Sequence, residues 1–347
     1  MRILICSPEY NPATGNWISA TRYRRGLQSC GHEVYLCHLD SAATSLERIA
    51  AEYKPDILLL IHAFRTGRQW LNSPLMCADA TRIPVIVLLS GTDINEGLYD
   101  PMQAPIIERV LTQADALLIQ NPLEAEYLRQ HYPHWAAHLH EIPPGIELGM
   151  EPYPLRQRHP LNPEALLFLC PASIRPVKGV LELLELFDSV AEESPAVELP
   201  AWELLFCGPE LDGKYSDSFL AAIDMRAWAH YLGVLPPTSM GAVLQQVDVV
   251  VNNSVSEGIS NALIEAAVIG CPILAHDIPG NRPVVEQGLN GLLYQGKETF
   301  VAAVKRLLLE PELRRALSRP NPVRYSAQRE AQALHELCCS LSPAACH

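Results

Sequence analysis

The sequence predicts an α/β protein made of two doubly wound parallel sheets. Short apolar runs alternate with amphipathic or helical stretches, the pattern of strands joined by crossover helices. The alternation stops in a proline-rich stretch near the middle of the chain and then restarts. A length of 347 residues suits two domains of ordinary size, each able to bury its own core.

In the first half the strand-like runs are Arg2–Cys6, Glu33–Cys37, Ile57–Ile61, Pro84–Leu89 and Ala116–Gln120. Helical patterns lie between them, such as Trp17–Cys30 ending at Gly31, and Pro122–Tyr132. A doubly wound sheet collects its ligands at the carboxyl ends of its strands. In the second half the runs are Leu166–Pro171, Glu203–Cys207, Tyr231–Leu235, Val247–Val251, Ile273–Ala275 and Gly291–Tyr294. Val180–Glu192 and Ser218–His230 read as helices between them, and Glu298–Leu309 and Ala327–Leu341 as amphipathic helices near the end. The expected organisation is a first domain over 1–145, a linker over 146–164, a second domain over 165–325 and a C-terminal segment over 326–347. The last few residues, from Ser342, are expected to fray. No internal sequence repeat is visible.

The composition is that of an ordinary globular protein, 48% hydrophobic and 19% charged. The net charge of −13 argues against nucleic acid, and it weakens any case for resting on an anionic membrane. No secretory signal or spanning apolar run is evident. The ten cysteines are scattered, several of them within apolar runs, with no spacing suited to a metal. A reduced, cytoplasmic protein is the expectation, with no metal site and no cofactor.

The chemistry concentrates between Asn252 and Tyr294. The run Val247–Val251 reads as a buried parallel strand. A polar loop, Asn252 to Ser260, follows it, and then a helix, Asn261–Ile269, closed by Gly270. A strand, a loop and a helix N-terminus together bind phosphate, because free N–H groups and the positive end of the helix dipole face the ligand. The candidate contacts are Gly258, Ile259, Ser260, Asn261 and Ala262, with Gly258 letting the ligand approach the backbone. Glu257 and Glu265 frame this loop. Each carboxylate could grip a pair of sugar hydroxyls, which points to a sugar–diphosphate–ribose ligand. The bland alternative is a helix-cap acid at Glu257 and a solvated side chain at Glu265. Arg175 and Lys178 flank another strand-to-helix turn beside Gly179, where a pyrophosphate would meet a forked guanidinium and a point charge. Two solvated cations are the alternative there. In the first half, three strand-end loops carry candidates. They are Thr14–Gly15–Asn16, with Asn16 also a helix cap; His62–Ala63–Phe64–Arg65; and Ser90–Gly91–Thr92–Asp93.

These motifs resemble glycosyltransferase family 4 of the GT-B fold. That family is marked by two glutamates with seven residues between them, here Glu257–Gly258 and Glu265–Ala266, followed by Gly270–Cys271–Pro272–Ile273 and Asn290–Gly291–Leu292–Leu293. The chain looks closest to short glycosyltransferase-1-domain-containing proteins, through Thr14–Gly15–Asn16, Ser90–Gly91–Thr92–Asp93, Val255–Ser256–Glu257–Gly258 and Ile278–Pro279–Gly280–Asn281. Selenosugar synthases look similar at the Gly15–Asn16 and Gly91–Thr92–Asp93 stretches. The resemblance implies two Rossmann-like domains facing across a cleft, with the last helix crossing back to the first domain. It implies that Glu257 contacts the donor sugar and Glu265 the ribose, and that the Gly208 loop lies on the nucleotide side.

The chain departs from the family at Ser90, where many members carry a histidine near the reacting carbon. Asp93 or His62 could stand in for it. No base is needed if the diphosphate takes the proton or if the acceptor arrives ionised. An ionised acceptor would suit Arg22, Arg65 and Arg68. The expected activity is therefore a retaining, metal-independent transfer from a nucleotide diphosphate sugar, with a UDP-sugar favoured, to a small acceptor that could be anionic. A thio- or selenosugar synthase, a nucleotide-sugar epimerase and a non-catalytic nucleotide-sugar sensor are the competing readings.

Overall fold

A computed structural model describes residues 1–10, 14–39, 45–76, 82–193 and 199–342. The expected fraying of the terminus past Ser342 falls outside the described residues. The chain divides into two compact units, Met1–Gly145 joined by the stretch starting at Tyr325, and Ile146–Arg324.

The first unit holds six parallel strands: β1 (Arg2–Ser7), β2 (Glu33–His38), β3 (Ile57–Ile61), β4 (Val85–Leu88), β5 (Ala116–Ile119) and β6 (Leu139–Glu141), in the order β2-β1-β3-β4-β5-β6. β3 explains why its run is apolar throughout. Leu58 and Leu60 face one buried layer with Trp70 and Val110, while Ile57, Leu59 and Ile61 face the other with Tyr23 and Leu27. Strand side chains alternate between faces, so a strand covered on both sides must be apolar at every position. The second layer is completed from the far end of the sequence, where helix Ala327–Leu341 contributes Leu334, Leu337 and Cys338.

The second unit repeats the plan with β7 (Leu166–Pro171), β8 (Trp202–Cys207), β9 (Ala229–Tyr231), β10 (Val249–Asn252), β11 (Ile273–His276) and β12 (Gly291–Tyr294), ordered β12-β11-β10-β7-β8-β9 and all parallel. Helices Val180–Glu193, Asn261–Ile269 and Gly296–Leu309 are among its crossovers.

Most expected elements lie within a residue or two of their observed ends, but three differ. The strand expected at Tyr231–Leu235 is Ala229–Tyr231, because the ladder stops where Gly233 turns at φ 71° and Val234 leaves the core. The helix expected at Ser218–His230 is Gly213–Asp224, started by Asp212, whose side chain accepts the N–H of Tyr215. The short edge strand β6 is mostly polar and was not anticipated. It is held by pairing with β5 rather than by its own pattern.

Each sheet reverses its winding once. In the first unit the chain moves outward from β1 to β2 and then from β3 to β6. In the second it runs from β7 to β9 and then from β10 to β12. Loops leaving β1 and β3, and those leaving β7 and β10, therefore part at a switch point and open a crevice at the carboxyl ends.

Candidate active site

The second unit brings the loops after β7, β8 and β10 together. Glu257, on the loop after β10, is mostly buried, with its side chain 12% exposed. Its Oε1 accepts from Lys178 Nζ at 2.5 Å, from Ser254 Oγ at 2.7 Å and from Asn252 Nδ2 at 3.5 Å. Glu257 is thus no solvated cap acid. Asn252, the last residue of β10, organises this corner. Its Oδ1 accepts from Ser254 N at 3.1 Å and Asn281 Nδ2 at 3.0 Å, while its Nδ2 also reaches Ser260 Oγ at 3.2 Å. Asn253 donates to the Gly179 carbonyl at 2.7 Å and accepts from Tyr294 Oη at 2.5 Å, tying the loops after β7 and β10 to β12. The chain over Gly280 presses on the motif so closely that a Cβ there would lie 2.3 Å from the Glu257 carbonyl oxygen. Only glycine fits.

Helix Asn261–Ile269 starts beside Glu257. Its N-cap is Ser260, but the hydroxyl turns to Asn252 and makes no cap bond. The first-turn N–H groups, including those of Asn261 and Ala262, are left without that cap, at the positive end of the dipole. Gly258 and Ile259 are half-buried on the approach to it. Glu265, one turn inside, is half-buried, and its charge reaches the Cys207 thiol at the end of β8. Burial pushes that thiol up well beyond its ordinary range, and Cys170 and Glu265 add to the shift.

Gly208 follows Cys207 at φ 145°, where a Cβ would meet the Ala172 carbonyl oxygen at 2.2 Å, so the loops after β7 and β8 run in contact. Ile174 and Glu210 form a bridge between the same loops. Arg175 lies on this rim. Its Nε is buried without a hydrogen-bond partner. The two cations of the turn therefore differ, since Lys178 is already paired and Arg175 has donor capacity in reserve. Cys170, at the end of β7, lies below the pair. Burial raises its thiol to about 12, Lys178 pulls it down and Glu257 pushes it up.

In the first unit the loops after β1, β3 and β4 carry the remaining candidates. His62 follows β3 in a positive-φ conformation (77°) unusual for a non-glycine residue. Its Nδ1 is 2.7 Å from Asp93 Oδ1, and its Nε2 is 3.2 Å from Thr92 Oγ1. Arg65 N also approaches Nδ1, at 3.4 Å, a longer and weaker contact than the one to Asp93. Asp93 is 1% exposed. It accepts the N–H groups of Ala63, Phe64 and Ser90 at 2.9, 3.1 and 3.0 Å and forms a capping box with Ser90. Burial would raise its carboxyl, but the hydrogen bond and charge of His62 and the backbone donors outweigh that and hold it below the usual range. Asp93 is spoken for as an acceptor and serves to hold His62.

Gly15 opens the helix Gly15–Ser29, whose N-cap is Thr14 rather than Asn16. Asn16 donates to Glu9 at 3.4 Å, and Arg65 pairs with the same carboxylate, joining the loops after β1 and β3. Arg22 does not line this rim. It is buried against Glu330 at 2.8 Å, with its Nε donating to Oε2. Arg68 stacks over Phe64. Among the described residues no cluster of three metal-binding side chains occurs, and no helix is long and apolar enough to cross a membrane.

Asn252, Asn253, Ser254 and Tyr294, none of them a candidate contact on sequence grounds, are parts of this corner. The visible signal was two asparagines ending an apolar run, which a strand interior would reject.

A parallel sheet in each unit, open at its switch point, with an acid–base pair beside an uncapped helix start in the second, defines the GT-B class of two-domain α/β protein. Residues 154–322 match the family described as glycosyl transferases group 1. It is 28% identical over 318 residues to glycosyltransferase 1 domain-containing protein 1 of Xenopus tropicalis, covering 88% of this chain and 87% of that one. Among solved structures, it matches sucrose-phosphate synthase from Thermosynechococcus elongatus with a TM-score of 0.83 at 17% identity, over 99% of this chain and 100% of the other. It also matches the Anabaena protein HepE in complex with UDP-glucose, with a TM-score of 0.77 at 16% identity, over 98% of this chain and 100% of the other. At these identities the structural matches speak to the fold.

Proposed function

We propose that this chain is a retaining glycosyltransferase that takes a sugar from a nucleotide diphosphate sugar, with a UDP-sugar favoured, and passes it to a small acceptor without a metal ion. The observation that carries this is the Lys178–Glu257 pair set between Arg175 and the uncapped start of helix Asn261–Ile269. Positive groups gather there from two loops and a helix dipole, around one buried carboxylate.

In this reading Glu257 holds the donor sugar and Glu265 the ribose. Arg175, Lys178 and the first-turn N–H groups of Ser260–Ala262 hold the diphosphate. The C1–O bond to the diphosphate breaks as the acceptor oxygen bonds to C1 from the same face. The acceptor's proton passes to the departing diphosphate, whose developing charge the cations and the helix start stabilise. His62, held by Asp93, positions the acceptor. A nucleotide donor is supported by the UDP-glucose bound to HepE.

The test is incubation of the purified chain with UDP-glucose and analysis of the products. Slow hydrolysis, or transfer to an added acceptor, supports the transferase. A changed sugar still attached to UDP would make the protein an epimerase, and binding with no product would make it a sensor. Activity that needs added Mg²⁺ or Mn²⁺ would defeat the metal-free reading.

A further inference from the structure

At the carboxyl end of the first sheet, one feature serves neither the core nor the donor. Tyr10 is 63% exposed, yet its ring is held edge-on to Trp17 with centroids 4.7 Å apart, and it lies 5.8 Å from the ring of His38 at the end of β2. An exposed aromatic side chain normally loses its order; this one is fixed by two others. Facing the switch point, on the loops after β1 and β3, stand the hydrogen-bonding groups Glu9, Asn16 and Arg65, linked to one another. Arg65 is neutralised by Glu9, so one of the three cations expected to greet an anionic acceptor is already paired.

We infer that Tyr10 and Trp17 form the acceptor subsite, and that it selects a ring-shaped neutral polyol, such as a sugar or cyclitol, over an acyclic or anionic acceptor. A saturated ring carries polarised C–H groups on a flat face and hydroxyls around its edge. The rigid rings of Tyr10 and Trp17 offer the C–H face a large apolar surface at little entropy cost. Glu9 accepts from hydroxyls, and Asn16 and Arg65 donate to them. An acyclic polyol has the hydroxyls but not the face. A phosphorylated acceptor would meet the Glu9 carboxylate. The inference rests on the transferase reading above.

The experiment measures UDP release from UDP-glucose by the full chain with glucose, myo-inositol, glycerol, sorbitol or glucose 6-phosphate as acceptor probe, alongside UDP affinity by calorimetry. Glucose or myo-inositol should raise turnover more than the other three. Tyr10→Ala and Trp17→Ala should raise KM for the ring acceptor about tenfold with a smaller change in kcat, while Tyr10→Phe keeps the ring and stays near the wild type. Thermal unfolding checks that the variants fold, and Tyr10→Phe carries the test if either alanine variant does not. Equal stimulation by glycerol or sorbitol, preference for glucose 6-phosphate, or an unchanged KM in both alanine variants would overturn the inference. So would UDP binding with no response to any ring acceptor, and that result would leave the donor reading intact. Failure to bind UDP at all would remove both.

Discussion

Glu257 and Glu265 are eight positions apart on one motif, yet their surroundings differ. Glu257 is enclosed by Lys178, Ser254 and Asn252, whereas Glu265 is half-buried, with its charge acting on Cys207 at the end of β8. Glu257→Ala should therefore lower kcat more than UDP affinity. Glu265→Ala should weaken UDP binding by roughly 1–3 kcal/mol, the cost of a lost charged hydrogen bond. Calorimetry with UDP checks both, and wild-type affinity in the Glu265 variant would remove it from the ribose. His62 and Asp93 form a second pair whose work can be separated. If the diphosphate takes the proton, His62→Ala and Asp93→Asn lower activity and leave the shape of the pH–rate profile unchanged. A limb lost only in the His62 variant would make that imidazole the base. Glu124 offers a stability readout. Burial raises its carboxyl to about 8, with Asp93 adding to the shift and Asn95 opposing it. The folded pKa lies above the unfolded value of about 4.3, so the folded state prefers the protonated form and stability is lost as pH climbs from there to about 8. Glu124→Gln should flatten that fall. Thermal unfolding of both proteins between pH 5 and 9 tests it, and parallel curves would show that Glu124 does not titrate this way.

At the scale of elements, the proposed phosphate site rests on a short turn and a helix start acting together. Arg175 and Lys178 bracket the turn Pro176–Lys178, and Lys178 also neutralises the buried Glu257. The double variant Arg175→Ala with Lys178→Ala should lose on the order of 10²-fold in turnover, through loss of leaving-group stabilisation. Steady-state rates with saturating donor measure this, and full activity would exclude both cations. Elements were the scale most legible in the sequence. Ile57–Ile61 and Asn261–Ile269 were readable to the residue, since a continuous apolar run and a helix closed by a glycine at φ 83° carry their own boundaries. β6 and β9 were not legible. Each is three residues long and exists because a neighbouring strand offers its edge.

At the scale of the whole molecule, the chain's end completes its beginning. Helix Ala327–Leu341 buries Leu334, Leu337 and Cys338 against the layer containing Ile3, Ile5 and Tyr23, and its Glu330 neutralises the buried Arg22. Truncation after Arg324 should therefore destabilise the first unit, exposing that layer and leaving Arg22 uncompensated. Limited proteolysis should cut the first unit of the truncated chain and spare Ile146–Arg324. Equal resistance of both units would show that the helix is dispensable. The single substitution Glu330→Ala should cost about 3–5 kcal/mol in urea unfolding, because removing one member of a buried pair strands the other.

The sequence by itself determined the architecture and the two-glutamate motif. Apolar runs of strand length can be buried only between helices, and the glutamates, the glycines and the R-x-x-K turn are local signals readable from neighbours in the chain. Tertiary structure alone decided the partners. Lys178 meets Glu257 across 79 positions, and Arg22 meets Glu330 across 308. Arg22 reads in sequence as a surface cation available to a ligand. Only the packing of a helix from the other end of the chain makes it a buried structural charge, because which of two identical side chains loses its water depends on what folds over it.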